Sequence, residues 1–330
     1  MPLEVTAATG PLRGDFAPPG DKSISHRAMI LASLAAGRSR LSGLLEAADT
    51  LATRNALAQL GAEFGQSGQD LWVDGLGATG LSRPEAPLDM GNSGTAMRLL
   101  AGVLAGQPFD SVLVGDASLS GRPMRRIIRP LEMMGASIRA SDAGTAPLRV
   151  HGSRLRGIDY ETHVASAQVK SCVLLAGLYA RGRTTVSEPG PSRDHTERML
   201  PLFGVNMPAP RSVQGDAVLQ AADVSVPADP SSAAFAAAAS LLVEGSDVVL
   251  RNVGLNPTRD GFFRALRAMG AALEIEPGGH MGGDPVGHVR VRHRGALEGI
   301  DLPPDWIPSM IDEVPALMVL AACARGTTRI

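Results

Sequence analysis

Residues 18 to 30 read PPGDKSISHRAMI: two prolines and a glycine deliver the chain into a lysine, two serines, a histidine and an arginine, just ahead of an apolar run. Ser23 is placed to cap a helix continuing through Arg27, Ala28, Met29, Ile30, Leu31 and Leu34, which sets Ser23 and Arg27 on one face. A helix N-terminus offers unpaired N–H groups and partial positive charge. A hydroxyl, a guanidinium and the Lys22 ammonium beside it therefore suit a phosphate or carboxylate. The same residues also fit an ordinary cap with solvated basic side chains. Asp21 argues against a nucleotide P-loop, because it separates Gly20 from Lys22 where that motif needs them adjacent.

Two further stretches use the same device. In LDMGNSGTAMRLLAGVLAG (88 to 106) a Gly-Asn-Ser-Gly-Thr turn feeds a long apolar helix; Gly91 and Gly94 permit close backbone approach, Asn92 and Thr95 add polar groups, and Arg98 lies about one turn in. In THVASAQVKSCVLLAG (162 to 177) Ser166 is a cap, Ala167 follows it, and Gln168 carries a donor and an acceptor for a polyhydroxylated ligand. Between them GDASLSGRPMRRI (115 to 127) reads as a Gly/Ser loop whose Arg122, Arg125 and Arg126 either clamp an anion or are simply solvated. Three dressed helix N-termini in one chain point to one convergent anion site.

Acid and base candidates are fewer. Asp312 and Glu313 open the apolar helix of PPDWIPSMIDEVPALMVLAACA (303 to 324), as capping acids or with Asp312 as a catalytic base facing cations. Of the 31 basic residues, only Lys22 and Lys170 are lysine and the other 29 are arginine. An ammonium can donate a proton where a guanidinium effectively cannot, which makes Lys22 a chemical candidate; Lys170, mid-helix, reads as solvated or bridging. No metal-ligand spacing joins His26, His195 and Trp306, which read as packing or supporting residues. Cys172 and Cys323 stand in apolar helical contexts without a CxxC partner and read as reduced core thiols.

The elements that must position these residues repeat. LAQLGAEF (57 to 64), LEMMGASI (131 to 138), LPLFGVNM (200 to 207) and LRAMGAAL (266 to 273) each end a helix at a glycine and start a strand. Each follows a helix that ends in glycine and a short β-rich run: LAAGRSRLSG, LAGQPFDSVLVG, YARGRTTVSE and LVEGSDVVLRN. The two glycines stand 22 to 29 residues apart. One supersecondary unit used several times, with strands and helices alternating, predicts an α/β architecture of βαβ-type units. A fifth copy begins at Val319 with VLAACARGTTRI and is expected to run into a strand at Ile330, its companion glycine falling beyond the sequence; this predicts a C-terminally truncated last repeat.

Composition narrows the class. With 330 residues, 44% hydrophobic and 19% charged, the chain reads as a globular protein of two domains or one large barrel. A net charge of −2 and 3% aromatic content argue against a nucleic-acid surface. No apolar run reaches spanning length, and MPLEVTAATG resembles neither a signal nor a transit peptide, so the cytoplasm is the expected compartment.

GDKSISHR, GNSGTAMR, SGRPM, ASAQVKS, SRDHTE and IDEVPAL, in this order over nearly the whole chain, resemble 3-phosphoshikimate 1-carboxyvinyltransferase, the 5-enolpyruvylshikimate-3-phosphate synthase family. The resemblance implies two lobes of repeated βαβαββ units, an inside-out α/β barrel arrangement joined by a double crossover, with residues 20–226 as the second lobe and residues 1–19 plus 227–330 as an incomplete first lobe. It implies transfer of the enolpyruvyl group of phosphoenolpyruvate to the 5-hydroxyl of shikimate 3-phosphate, in the shikimate pathway to chorismate and the aromatic amino acids. On the matching positions, Lys22, Ser23 and Arg27 would hold shikimate 3-phosphate, with Lys22 also touching phosphoenolpyruvate. Gly94 and Arg122 would bind phosphoenolpyruvate, flanked by Asn92 and Thr95. Ser166, Ala167 and Gln168 would line the shikimate side, with Arg193 of the SRDHTE motif nearby, and Asp312 would accept the proton of the 5-hydroxyl. Gly94 matches the place where the family admits glyphosate. No cofactor or metal is implied, the partners are the two small-molecule substrates rather than nucleic acid or membrane, and a monomer is expected. The family's RVKESDR-type segment and later basic positions would fall beyond Ile330, leaving a fragment that only binds shikimate 3-phosphate as the alternative. The sister family acting on UDP-N-acetylglucosamine resembles a Lys-Asn opening and a reactive cysteine, whereas this chain has Lys22-Ser23 and no cysteine in 115–127.

Overall fold

The structure, a computed structural model, describes residue 4, residue 6 and residues 8–330, so part of the MPLEVTAATG stretch lies outside the described residues. The chain divides into two compact units, Lys22–Val226 and the combination of Met1–Asp21 with Pro227–Ile330. After β1 (Arg13–Phe16), the Lys22–Val226 unit is laid down in one pass. Its first elements are α1 (Lys22–Leu34), β2 (Ala36–Ser42), α2 (Ala48–Gln59), β3 (Glu63–Ser67), β4 (Asp70–Leu76) and β5 (Leu88–Asp89). Then come α3 (Gly94–Ala105), β6 (Asp110–Val114), α4 (Ala117–Ser120), α5 (Arg125–Met133), β7 (Ser137–Arg139) and β8 (Leu148–His151). The unit ends with β9 (Asp159–Glu161), α6 (Ala167–Gly177), β10 (Arg183–Ser187), α7 (His195–Met199), β11 (Ser212–Gln214) and β12 (Asp223–Ser225). The remaining unit resumes with α8 (Pro230–Leu242), β13 (Asp247–Gly254), α9 (Gly261–Ala268), β14 (Ala272–Met281), β15 (Asp284–Arg292) and α10 (Val314–Cys323).

One strand order recurs among these elements. β5 runs parallel to β6, β6 pairs antiparallel with β8, and β8 pairs antiparallel with β7. The sheets β12-β2-β4-β3 and β1-β13-β15-β14 repeat it, and β9, β10 and β11 repeat its parallel-then-antiparallel start. Parallel neighbours need a crossover; α3 supplies it from β5 to β6 and α6 from β9 to β10. At the end of the chain the expected strand is replaced by two isolated parallel bridges, Glu298 with Arg325 and Asp301 with Arg329. The Gly299 and Leu302 N–H groups donate to the Arg325 and Arg329 carbonyls, and the Arg329 N–H donates to that of Ile300.

Gly61, Gly135, Gly204 and Gly270, the glycines of the repeated sequence motif, all take positive φ of 101°, 101°, 77° and 82°, the left-handed backbone that ends a helix and that a Cβ resists. The third copy departs from the expectation: α7 is short, a 3-10 turn at Leu200–Phe203 leads into Gly204, and the next strand, β11, starts only at Ser212. Pro208 and Pro210 lie in that gap and cannot donate to a ladder.

In the Lys22–Val226 unit, α1, α3 and α6 are buried on nearly every face, as helices apolar all round must be. The sheets pack outside them, α1 against β4, α3 against β6 and β8, α6 against β10 and β11. Gly102 of α3 meets Cys172 of α6 so closely that a Cβ there would lie 2.3 Å from the Cys172 carbonyl oxygen. Each fully buried Leu, Ile or Met contributes roughly 1.5–3 kcal/mol. That gain offsets the cost of holding Arg27 and Lys170 inside the same helices. The other unit has its own core, with α8 packed on β13 and β15 and α9 on β14.

Candidate active site

Within the Lys22–Val226 unit, side chains from the first two turns of α1 and of α3 bond to those of α6, Arg27 to Ser171 and Arg98 and Thr95 to Gln168. α1 begins at Lys22, so Ser23 sits inside the first turn instead of capping it; Asp21, an equally good capping type, comes directly before the helix. Lys22 is half-exposed, its Nζ 3.3 Å from Asp49 Oδ2. One turn on, Arg27 is 3% exposed. It donates from Nη1 to the Ser23 carbonyl at 2.9 Å, from Nε to Thr196 Oγ1 at 2.7 Å and from Nη2 to Ser171 Oγ at 2.7 Å. Thr196 Oγ1 donates in turn to Ser171 Oγ at 2.7 Å.

At α3, Ser93 caps the helix by accepting from the Ala96 N–H at 3.2 Å, and Gly94 opens it. A Cβ on Gly94 would stand 2.8 Å from Arg98 Nη1 and 3.2 Å from Arg122 Nη1, so glycine here lets two guanidinium groups close onto a helix N-terminus. Arg98 Nη1 donates to Gln168 Oε1 at 2.8 Å and Nη2 to the Pro123 carbonyl at 3.2 Å. These acceptors are neutral. Burial, and then the charges of Arg122 and Arg126, hold the Arg98 pKa below its ordinary value.

Arg122 donates to Asn92 Oδ1 at 2.5 Å, and Asn92 Nδ2 donates to Asp116 Oδ2 at 2.7 Å. The stretch expected as a Gly/Ser loop contains α4, because Asp116 Oδ1 accepts the Leu119 N–H at 2.7 Å and caps it; Arg125 and Arg126 belong to the first turn of α5. The Leu119 N–H and then the Asn92 amide hold the Asp116 carboxyl below the usual carboxylate range.

At α6, Ser166 accepts weakly from the Val169 N–H at 3.5 Å, and Ala167 is the first helical residue. Gln168 Oε1 takes Arg98 and its Nε2 donates to Thr95 Oγ1 at 3.0 Å, so the amide ties α6 to α3 and keeps a second N–H. Arg193 is half-buried between β10 and α7.

Asp312 belongs to the other unit, exposed two residues ahead of α10. Glu313 takes the expected N-cap position of α10, but its carboxylate makes no cap hydrogen bond: it is 1% exposed, accepts from Ser231 Oγ and lies 3.5 Å from Arg259 Nη2. Arg259 also stands 3.2 Å from both Asp21 Oδ2 and Asp229 Oδ1. Its burial opposes the charge, but Asp21, Asp229, Glu313 and Asp312 together push the pKa of Arg259 above its ordinary value. The cysteines split as well. Cys172 is buried, which pushes its thiol up to about 12, whereas Cys323 is exposed and no core residue. His26 bonds Thr53 Oγ1 at 2.7 Å and Trp306 lies under Arg264 at 4.3 Å. Among the described residues no cluster of His, Cys, Asp and Glu is suited to a metal ion, and no helix is long and apolar enough to cross a membrane.

Residues 6–330 match the family model of EPSP synthase (3-phosphoshikimate 1-carboxyvinyltransferase). The chain belongs to that family. It is 54% identical over 326 residues to the 3-phosphoshikimate 1-carboxyvinyltransferase of Methylococcus capsulatus, covering 97% of this chain and 74% of that protein. It is 53% identical over 324 residues to that of Alkalilimnicola ehrlichii, covering 97% and 72%. The solved EPSP synthase of Acinetobacter baumannii superposes with a TM-score of 0.90 at 46% identity, covering 97% of this chain and 74% of the other. The enolpyruvyl transferase NikO of Streptomyces tendae shares the fold, with a TM-score of 0.75 at 18% identity. The chain thus spans about three quarters of the length of the EPSP synthases it matches.

Membership in the EPSP synthase family rests on motifs the sequence displays openly, but much of what braces them was not legible there. Thr196 and Ser171 lie in the quoted motifs, yet nothing marked them as the anchors of Arg27. Glu188 ended the repeat segment YARGRTTVSE without being marked, and Arg259 stood in no motif. The one available signal was the rarity of lysine, which singled out Lys170 without saying what it meets.

Proposed function

We propose that this chain transfers the enolpyruvyl group of phosphoenolpyruvate to the 5-hydroxyl of shikimate 3-phosphate, giving 5-enolpyruvylshikimate 3-phosphate and phosphate. The observation that carries the reading is the family match along residues 6–330. The cationic helix N-termini support it, since Arg98, Arg122 and Arg126 charge the entrance of α3 without carboxylate hydrogen bonds among the described residues.

In this reading the 5-hydroxyl oxygen adds to C2 of phosphoenolpyruvate as C3 takes a proton. The tetrahedral adduct then loses phosphate, and C3 gives a proton back to form the vinyl ether. Asp312 accepts the hydroxyl proton, and Lys22 touches both substrates and carries a mobile proton. Ser23 and Arg27, with Lys22, hold shikimate 3-phosphate. Gly94 and Arg122 receive phosphoenolpyruvate, Ser166, Ala167 and Gln168 line the shikimate side, and Asn92, Thr95 and Arg193 complete the substrate-binding set. The two lobes are proposed as residues 20–226 and residues 1–19 with 227–330, acting as a cytoplasmic monomer. Phosphate release with both substrates present is the test. Turnover that requires both supports the reading; shikimate 3-phosphate binding in a calorimeter without phosphate release favours a binding role, and neither response sinks both.

A further inference from the structure

The only lysine besides Lys22 lies buried in the Lys22–Val226 unit. Lys170 is 1% exposed, and its Nζ lies 2.9 Å from Glu188 Oε2, 2.9 Å from Glu197 Oε1 and 3.4 Å from the Ser192 carbonyl. Two carboxylates in close ion pairs and one carbonyl acceptor converge on a single ammonium nitrogen. A guanidinium is planar, larger and forked, and it cannot address three converging oxygens in that closed space. This explains a lysine in a chain whose basic residues are otherwise arginine.

The partners of Lys170 lead directly to proposed binding residues. Glu188 Oε1 accepts the Ser166 backbone N–H at 3.0 Å and the Ser192 hydroxyl at 2.7 Å. Ser166 caps α6, and Ser192 precedes Arg193. Glu197 follows Thr196, which takes the Arg27 Nε at 2.7 Å. One ammonium therefore braces three pieces of backbone that carry Ser166, Arg193 and the anchor of Arg27.

We infer that Lys170, with Glu188, is a positioning residue that fixes the α6 N-cap and the 188–197 segment for shikimate 3-phosphate, which rests on the function proposed above. The compact ammonium is required, not the charge alone. Around metal centres the loss of such a second-layer brace costs about ten- to a hundredfold, and an effect of that order is expected here.

The test compares wild type, Lys170→Arg and Glu188→Gln in two readouts, with Cys172→Ala as a variant that destabilises α6 at a residue outside the brace. Hydrogen exchange of the free protein reports the Ser166–Val169 and 188–197 amides, and calorimetry with shikimate 3-phosphate reports affinity. We expect faster exchange confined to those two segments and affinity lower by about tenfold or more in Lys170→Arg and Glu188→Gln, and neither change in Cys172→Ala. Wild-type exchange and affinity in Lys170→Arg would overturn the inference, as would equal effects in Cys172→Ala. If Lys170→Arg does not fold, Glu188→Gln decides by the same two criteria. Failure of the wild type to bind shikimate 3-phosphate would count against the proposed function instead, and the exchange data would still decide whether Lys170 braces the cap.

Discussion

Arg27 Nη2 donates to Ser171 Oγ at 2.7 Å across 144 residues of chain, so a side chain of the first helix is fixed by the helix that carries Ser166 and Gln168. Thr196 completes the triangle through Arg27 Nε. Replacing Thr196 by valine keeps the shape and removes this acceptor from a buried cation. Thr196→Val is expected to lower unfolding stability by about 1–3 kcal/mol in urea titration and to weaken shikimate 3-phosphate binding in calorimetry. Unaltered affinity would show that Arg27 is held without it.

Gly94→Ala places a methyl carbon 2.8 Å from Arg98 Nη1 and 3.2 Å from Arg122 Nη1. Both neighbours are ends of flexible side chains, so the fold should survive while the cationic pocket is pushed open. The expected outcome is a rise of about tenfold in the phosphoenolpyruvate KM, about 1.4 kcal/mol, with weaker inhibition by glyphosate. Superimposable inhibition curves for the two proteins would remove Gly94 from the site.

Lys22 is half-exposed beside Asp49, and its proposed work needs a compact, proton-bearing ammonium. Lys22→Arg keeps the charge and should lose about a hundredfold or more in turnover. Steady-state phosphate release measures this directly, and near-normal turnover would end the assignment.

Asp312 and Glu313 are neighbours in sequence with opposite expectations. Asp312→Asn should cut turnover by about 10²–10⁴-fold with shikimate 3-phosphate binding and thermal stability kept. Glu313 belongs to the buried Arg259 cluster, so Arg259→Met, which removes the cation from among the buried carboxylates of Asp21, Asp229 and Glu313, should instead cost about 3–5 kcal/mol of stability. A stable Arg259→Met protein, or an Asp312→Asn protein with full activity, would reverse these roles.

The thiols give a simple solvent test. At pH 8 the exposed Cys323 should take one equivalent of a thiol reagent quickly, while Cys172, buried and pushed up to about 12, should react only on unfolding. Labelling of Cys323 alone should leave phosphate release unchanged. Rapid reaction of both thiols in the native protein would contradict the packing of α6 on α3.

The sequence alone determined the local grammar of this protein. The repeated glycines mark helix ends because only a residue without Cβ enters left-handed backbone freely, and Gly61, Gly135, Gly204 and Gly270 all do so. Capping is equally local: Ser166 makes its expected cap contact three residues on, whereas Ser23 falls inside a helix that begins one residue earlier. Tertiary structure decided everything that depends on partners far along the chain. Whether Gln168 faces a ligand or Arg98, whether Glu313 caps a helix or neutralises Arg259, and why position 170 is lysine are set by residues 70, 54 and about 20 positions away. Periodicity and capping are properties of a few consecutive residues, whereas the pairing of buried charges is fixed only when folding closes the distance between them.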